Sequence, residues 1–360
     1  MSRRVRVAIC WTHVSGYMAS CWRALAAHPD IDVSVALFAI ASKDNVGFQE
    51  AKLLGNLPHV VWPIDQYQRE VGGWARGLKP DVVVVAGWAY PALRALAHDP
   101  GLASAKVVMT MDTPWRWNWR QFAGRLAHRK FFARVDRAVV AAERTWQFAR
   151  WLGFEEHRIV RGLYGVDEDA FGPVLERRLA RGEGWPRRFM FMGRYAPEKA
   201  VGVLIDAYRQ YASGVTDPWP LDCYGRGELA SVLANAAGVQ DCGFIQPEEQ
   251  PGRMESSGCF VLPSMYEPWG AVLAEAGMSG LPLICSEACG AGVNLVQHLY
   301  NGLRVTTGDA GSLARAMRWM HDHPERLAEM GRRSRELSSP YTHRQWVTRW
   351  VAMLDELTRS

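Results

Sequence analysis

The chain has 360 residues, 48% of them apolar and 22% charged, with a formal net charge of +5. That is more chain than one ordinary core needs and too apolar for a disordered polypeptide, so two domains are expected. The 33 glycines and 19 prolines are scattered, which excludes collagen-like and low-complexity classes. Residues 1–170 hold 22 Lys/Arg against 16 Asp/Glu while the remainder is near neutral. A modest basic face of this kind suits phosphorylated small molecules or a membrane surface, and no nucleic-acid partner is expected.

In chain order, the basic start and short apolar run at Val5–Trp11 read as a buried first strand rather than a signal peptide. Further strands are predicted near Val33–Phe38, Val60–Trp62, Val82–Ala86, Val107–Thr110, Ala138–Ala141 and Arg158–Arg161, each followed by a helical pattern. The apolar stretch Val82 to Leu93 contains Gly87 and Pro91 and falls short of the ~20 residues of a membrane span. A domain over 1–172 ends where Gly172, Pro173, a charged run and Gly182, Gly184 and Pro186 suggest a linker over 173–187. The alternation restarts with strands near Arg188–Met192, Leu221–Tyr224, Asp241–Phe244, Cys259–Leu262, Pro282–Ser286 and Gly302–Thr306, a second domain over 188–340. In 341–360, Trp346, Val347, Trp350, Val351, Leu354 and Leu357 recur at helical spacing, predicting a helix docked back on the first domain. The fold class is therefore α/β, with two Rossmann-like domains of parallel sheet covered by helices. Seven dispersed cysteines, most inside apolar runs, point to a reducing cytoplasm; Cys285 and Cys289 lack a second pair at zinc spacing.

Chemistry-bearing residues gather at the strand ends of the second domain, where open parallel sheets bind ligands. Arg194 and Lys199 follow the first of its strands and together could neutralise a diphosphate at a helix start. Gly225 and Gly227 would let backbone approach a ligand. Phe244 and Ile245 offer apolar cover for a base. Glu267 and Glu275, eight residues apart, would lie ~12 Å apart on one continuous helix. They read either as contacts to opposite ends of an elongated ligand or as unrelated surface carboxylates.

Gly193-Arg194 with Lys199, the Gly225/Gly227 turn, Gly243-Phe244-Ile245, and Glu267-x7-Glu275 with Gly280-Leu-Pro282 and Asn301-Gly302 together resemble family 4-type retaining glycosyltransferases of the GT-B fold. Leu163-Tyr164-Gly165-Val166-Asp167 is similar to that family's domain-joining segment. The resemblance implies a metal-independent, retaining transferase in bacterial-type glycan biosynthesis, with no cofactor beyond a UDP- or GDP-linked sugar donor. It also implies a carbohydrate or lipid-linked acceptor. The location expected from the cysteines is cytoplasmic, either free or peripheral at the inner face of the membrane. Arg194 and Lys199 would hold the diphosphate and meet the leaving charge, and Glu267 would face the sugar. The amides of Trp269, Gly270 and Ala271 would contact sugar and phosphate, Glu275 the ribose, Ile245 the base, and Ser15-Gly16 the diphosphate.

Asp112 stands where many members of the family carry His; it reads as a catalytic group toward acceptor or sugar, or as a turn cap before Pro114. Trp269 replaces the family's usual Phe. Asp167-Glu-Asp169 fits a metal-binding expression of another transferase fold, but its place in the joining segment makes it structural. Trp11, His13, Trp88, Trp115 and Trp117, at or after first-domain strand ends, are the expected acceptor-binding residues. The stretch Trp115–Arg134 mixes aromatics with six Arg/Lys and no acid. It reads either as a helix burying Phe122, Leu126 and Phe131 or as a surface resting on anionic lipid. Competing functions are a nucleotide-sugar epimerase or glycosidic phosphorylase on the same architecture, and a non-catalytic carbohydrate-binding scaffold.

Overall fold

The computed structural model describes residues 3–39, 49–116, 118–182, 184–234 and 236–359. Residues up to Gly165 and those from His343 onward form one compact unit, and Val166–Thr342 forms the other. Each is an open, wholly parallel sheet with covering helices, the two-domain α/β architecture read from the sequence.

The first unit holds strands β1 (Val5–Cys10), β2 (Ile31–Ala39), β3 (His59–Pro63), β4 (Val82–Ala86), β5 (Lys106–Met111), β6 (Arg137–Val140) and β7 (Ile159–Arg161). Their order is β3-β2-β1-β4-β5-β6-β7. Because β2 and β4 flank β1 and the chain winds away in both directions, the loops after β1 and β4 open into the crevice where the winding reverses. The strands read as nearly continuous apolar runs, as in β4 (Val-Val-Val-Val-Ala), because helices cover both faces and leave no solvated side.

The second unit repeats the plan with β8 (Phe189–Met192), β9 (Leu221–Tyr224), β10 (Val239–Asp241), β11 (Cys259–Leu262), β12 (Leu283–Ser286) and β13 (Gly302–Val305), ordered β10-β9-β8-β11-β12-β13. Its reversal lies between β8 and β11, registered Cys259 to Phe189 and Phe260 to Met190. One strand departs from expectation. β10 ends at Asp241, three residues before the predicted Phe244, because Gly243 takes φ +69° and turns the chain out of the sheet.

The segment expected to be a linker, 173–187, instead contains the helix Val174–Ala180 packed on the second unit. Its charges have fixed partners. Arg178, 3% exposed, donates to the carbonyls of Met254, Glu255, Ser279 and Gly280. Arg177 and Arg181 pair with Glu255 at 2.6 and 2.5 Å.

The last helix, His343–Arg359, belongs to the first unit. It buries Trp346, Trp350, Leu354 and Leu357 and packs on the helix Gly16–Ala26. Trp346 and Trp350 stack at 4.6 Å, and the Trp346 indole donates to Leu163 O at 2.7 Å. Among the described residues, no helix is long and apolar enough to cross a membrane.

Candidate active site

In the second unit, side chains from the two strands flanking the reversal point meet. Lys199 follows β8 in the short turn Pro197–Lys199, and its Nζ donates to Glu267 Oε2 on the loop after β11. The side chains are 18% and 9% exposed, so the ion pair is largely withdrawn from water. Backbone ties the same loops together: the amides of Met265 and Tyr266 donate to Glu198 O at 2.8 and 3.2 Å. Arg194 stands beside them, its guanidinium donating to Glu198. Two cations and two carboxylates thus gather at the strand ends, as the pairs Lys199–Glu267 and Arg194–Glu198.

Glu267 and Glu275 do not share one helix, contrary to the continuous-helix reading. The helix begins only at Ala271, with Gly270 in the left-handed conformation at φ +94° as its N-cap, which separates Glu267 on a loop from Glu275 inside the helix. First-turn amides of any helix lack intrahelical acceptors and favour anions, so the start at Ala271 presents donors beside Lys199 and Glu267. Trp269 is 3% exposed, its ring 5.4 Å from that of Tyr341, and serves as a packing anchor beneath those amides.

Glu275 is 8% exposed, and burial together with the nearby Asp167 carboxylate pushes its pKa up to about 7. A buried carboxyl is costly unless donors are supplied to it, and its burial sets Glu275 apart from the surface carboxylate of the alternative reading. Asp167 itself caps the helix Glu168–Phe171, accepting from the amides of Asp169 and Ala170 at 3.1 and 3.2 Å.

The glycines Gly225 and Gly227 act differently from the expected close approach to ligand. A Cβ on Gly225 would fall 1.9 Å from Gly193 O, and one on Gly227 would fall 2.4 Å from Tyr195 O. The glycines therefore let the loops after β8 and β9 lie against each other. Tyr195, fully buried between them, has its hydroxyl 2.8 Å from both Cys223 O and Asp241 Oδ1. Ile245 is 8% exposed on the next loop, after β10.

A further element escaped the sequence reading. Gly290 N donates to Glu267 O at 2.9 Å and Ala291 N to Trp269 O at 2.8 Å, so residues 289–291 brace the Glu267 loop from beneath. A Cβ on Gly290 would fall 2.0 Å from Pro268 O. The small run Gly290-Ala-Gly292 was the available signal.

In the first unit, the structure sorts the expected acceptor residues. Trp11 is 8% exposed and packs edge-on against Trp22 at 5.5 Å. Its amide extends the β1–β2 ladder by donating to Ala36 O, so it is core rather than ligand-facing. His13 is exposed on the following loop. Ser15, 7% exposed, is the N-cap residue of the helix beginning at Gly16. Trp88, after β4, packs edge-on against His128 and Phe132, each at 5.6 Å. Trp115 lies 4.1 Å from Trp151, ring centre to ring centre. Trp117 lies outside the described residues.

Asp112, half-buried after β5, accepts a hydrogen bond at 2.8 Å from Tyr164 Oη, while Thr145 Oγ1 donates to its backbone carbonyl. Tyr17 meets the Tyr164 ring edge-on at 5.1 Å. The sequence contained Tyr164 in the joining motif but nothing that linked it to Asp112.

Residues 181–337 match the family Glycosyl transferases group 1. The D-rhamnosyltransferase WbpZ of Pseudomonas aeruginosa is 31% identical over 219 residues, 56% of this chain and 54% of that protein. A D-inositol 3-phosphate glycosyltransferase of Streptomyces avermitilis is 26% identical over 265 residues, 68% of this chain and 56% of that one. The chain thus spans about half the length of the curated relatives it matches. In fold, Anabaena Alr3699/HepE, solved in complex with UDP, superposes with a TM-score of 0.77 at 17% identity, covering 98% of this chain and 100% of that one. A sucrose-phosphate synthase from Thermosynechococcus elongatus gives a TM-score of 0.75 at 16% identity, covering 98% and 99%. Over residues 181–337 the chain is thus similar to the glycosyl transferases group 1, and over nearly its whole length it has the two-domain fold of these solved structures.

Proposed function

We propose that the protein is a retaining, metal-independent glycosyltransferase that moves a sugar from a UDP- or GDP-linked donor to a hydroxyl of a carbohydrate or lipid-linked acceptor. The observation that carries this reading is the Lys199–Glu267 pair at the reversal of the second sheet, beside Arg194, the helix start at Ala271 and the buried Glu275. In the reaction, the bond between the sugar's anomeric carbon and the diphosphate oxygen breaks, the acceptor oxygen bonds to that carbon, and its proton leaves to base or solvent. Charge grows on the diphosphate. Arg194, Lys199 and the amides of Trp269, Gly270 and Ala271 are fixed donors for that charge, the arrangement that lowers such a barrier most. Glu267 faces the sugar, Glu275 accepts from ribose hydroxyls, and Ile245 covers the base.

On the acceptor side, Asp112 is the catalytic candidate of the first unit, oriented by Tyr164. Among the described members of the expected acceptor set, His13 is exposed, whereas Trp88 and Trp115 chiefly brace neighbouring helices. We place the protein in the cytoplasm, in glycan biosynthesis, peripheral to the membrane's inner face. The test is nucleoside diphosphate release from UDP- and GDP-sugars with and without a panel of acceptors, in the presence of EDTA, with the product anomer read by NMR. Acceptor-dependent release that survives EDTA, with the donor's anomeric configuration kept, is expected. Epimerised donor, phosphate-dependent cleavage, or loss of activity in EDTA would overturn the corresponding part.

A further inference from the structure

The helix Trp119–Ala127 is built inside out. Gln121 and Gly124 face the domain. Gln121 is 7% exposed, its Nε2 donating to Pro114 O at 3.0 Å and its Oε1 accepting from Arg116 N at 2.8 Å. Gly124 lies against the Trp88 indole, where a Cβ would fall 2.4 Å from a ring carbon. Trp119 and Leu126 face outward, each 73% exposed, while Phe122, 45% exposed, sets one edge against the Trp115 and Trp151 rings at 5.2 and 4.9 Å. Spaced three and four residues apart, they form one ridge along the helix. Of the three residues expected to be buried here, Phe131 is, whereas Phe122 and Leu126 are not.

Cations border the ridge. Arg116, Arg120, Arg125, Arg129 and Lys130 are all exposed, and no acid occurs from Trp115 to Arg134. A soluble helix ordinarily turns its apolar stripe to the core. The reverse arrangement is stable at a water–lipid interface, where indole and aliphatic groups enter the headgroup boundary and arginines meet phosphates. Pairing of this face with a second copy would set its arginines against themselves, because a two-fold interface joins like surfaces. The charge selects an anionic surface.

We propose that this ridge docks the protein on an anionic bilayer, with Trp119, Phe122 and Leu126 entering the headgroup boundary and Arg116, Arg120, Arg125, Arg129 and Lys130 on lipid phosphates. The inference gives the peripheral membrane location its contact surface. It rests on first-unit residues alone and stands or falls separately from the donor site.

The test is flotation of the full chain with vesicles of phosphatidylcholine alone or mixed with phosphatidylglycerol, alongside UDP and GDP binding and melting of each variant. Binding to the anionic vesicles, reversed by salt, is expected. Trp119→Ser/Leu126→Ser should reduce it by more than about tenfold, and Arg120→Ser/Arg129→Ser by about fivefold per cation. Nucleotide binding and melting temperature should be unchanged, since the altered side chains are exposed. Absence of wild-type binding, equal binding to neutral vesicles, or unaltered flotation of both variants would overturn the proposal. So would a wild-type dimer that dissociates in Trp119→Ser/Leu126→Ser. Vesicle binding without nucleotide binding would sink the donor reading and leave this one standing.

Discussion

The Lys199–Glu267 pair sets what single substitutions do. Lys199→Ala leaves Glu267 as a buried carboxylate without its cation, so melting should fall by the equivalent of about 1–3 kcal/mol. Turnover should fall about a hundredfold or more through the lost donor to the leaving diphosphate. Lys199→Met/Glu267→Gln removes both charges and should recover most of the stability but none of the turnover. Recovery of turnover in the double variant would show the pair to be structural. Arg194 is more exposed, so Arg194→Ala should lower turnover with little effect on melting.

Glu275 gives a pH signature. Its folded pKa of about 7 lies above the ordinary 4.5, so the folded state holds the extra proton between those values. Stability from this group is therefore lost as pH rises from about 4.5 through about 7. Glu275→Gln should stabilise the unliganded protein above pH 7, with the gain vanishing toward pH 4.5. Ribose hydroxyls donate better to the ionised carboxylate, so nucleotide binding near neutral pH should release protons in the wild type and not in the variant. Calorimetry in two buffers of different ionisation heat measures this. Equal heats in both buffers would remove Glu275 from the ribose.

At the scale of elements, the glycine contacts decide which loops tolerate change. Gly290→Ala drives a Cβ into Pro268 O, so the loop carrying Glu267 must shift. It should lose turnover out of proportion to stability, because misplacement of a reacting group by about 1 Å is costly. Gly225→Ala forces apart the loops after β8 and β9 and should lower melting as well. Kinetics and melting on the two variants separate these outcomes.

The strands were legible because apolar runs followed by helical spacing mark a buried parallel sheet, and all thirteen expected strands are present. The end of β10 was misplaced because the apolar run continues through Phe244 although Gly243 turns the chain. The supposed linker was misread because its arginines look solvated in sequence, while Arg178 is held by carbonyls from 76 to 102 residues away. Long-range backbone acceptors leave no local pattern.

For the whole molecule, strand-end position was the legible feature. Arg194, Lys199 and Glu267 come together at one sheet reversal, as strand-end positions imply. The aromatics of the first unit were harder to read, because tryptophan serves cores and binding surfaces alike. Trp11 proved to be core, and Trp119, set among cations, proved to be exposed. The architecture predicts that nucleotide recognition resides in the second unit and that first-unit changes at Trp119 or Leu126 leave it intact.

The most direct test of the central claim is calorimetric titration of UDP and GDP into the wild type and into Lys199→Met/Glu267→Gln and Glu275→Gln. One nucleotide should bind at a single site in the wild type, with affinity lowered at least about tenfold in each variant while melting shows them folded. Failure of both nucleotides to bind the wild type, or equal affinity in all three proteins, would contradict a donor-diphosphate site built on Lys199, Glu267 and Glu275.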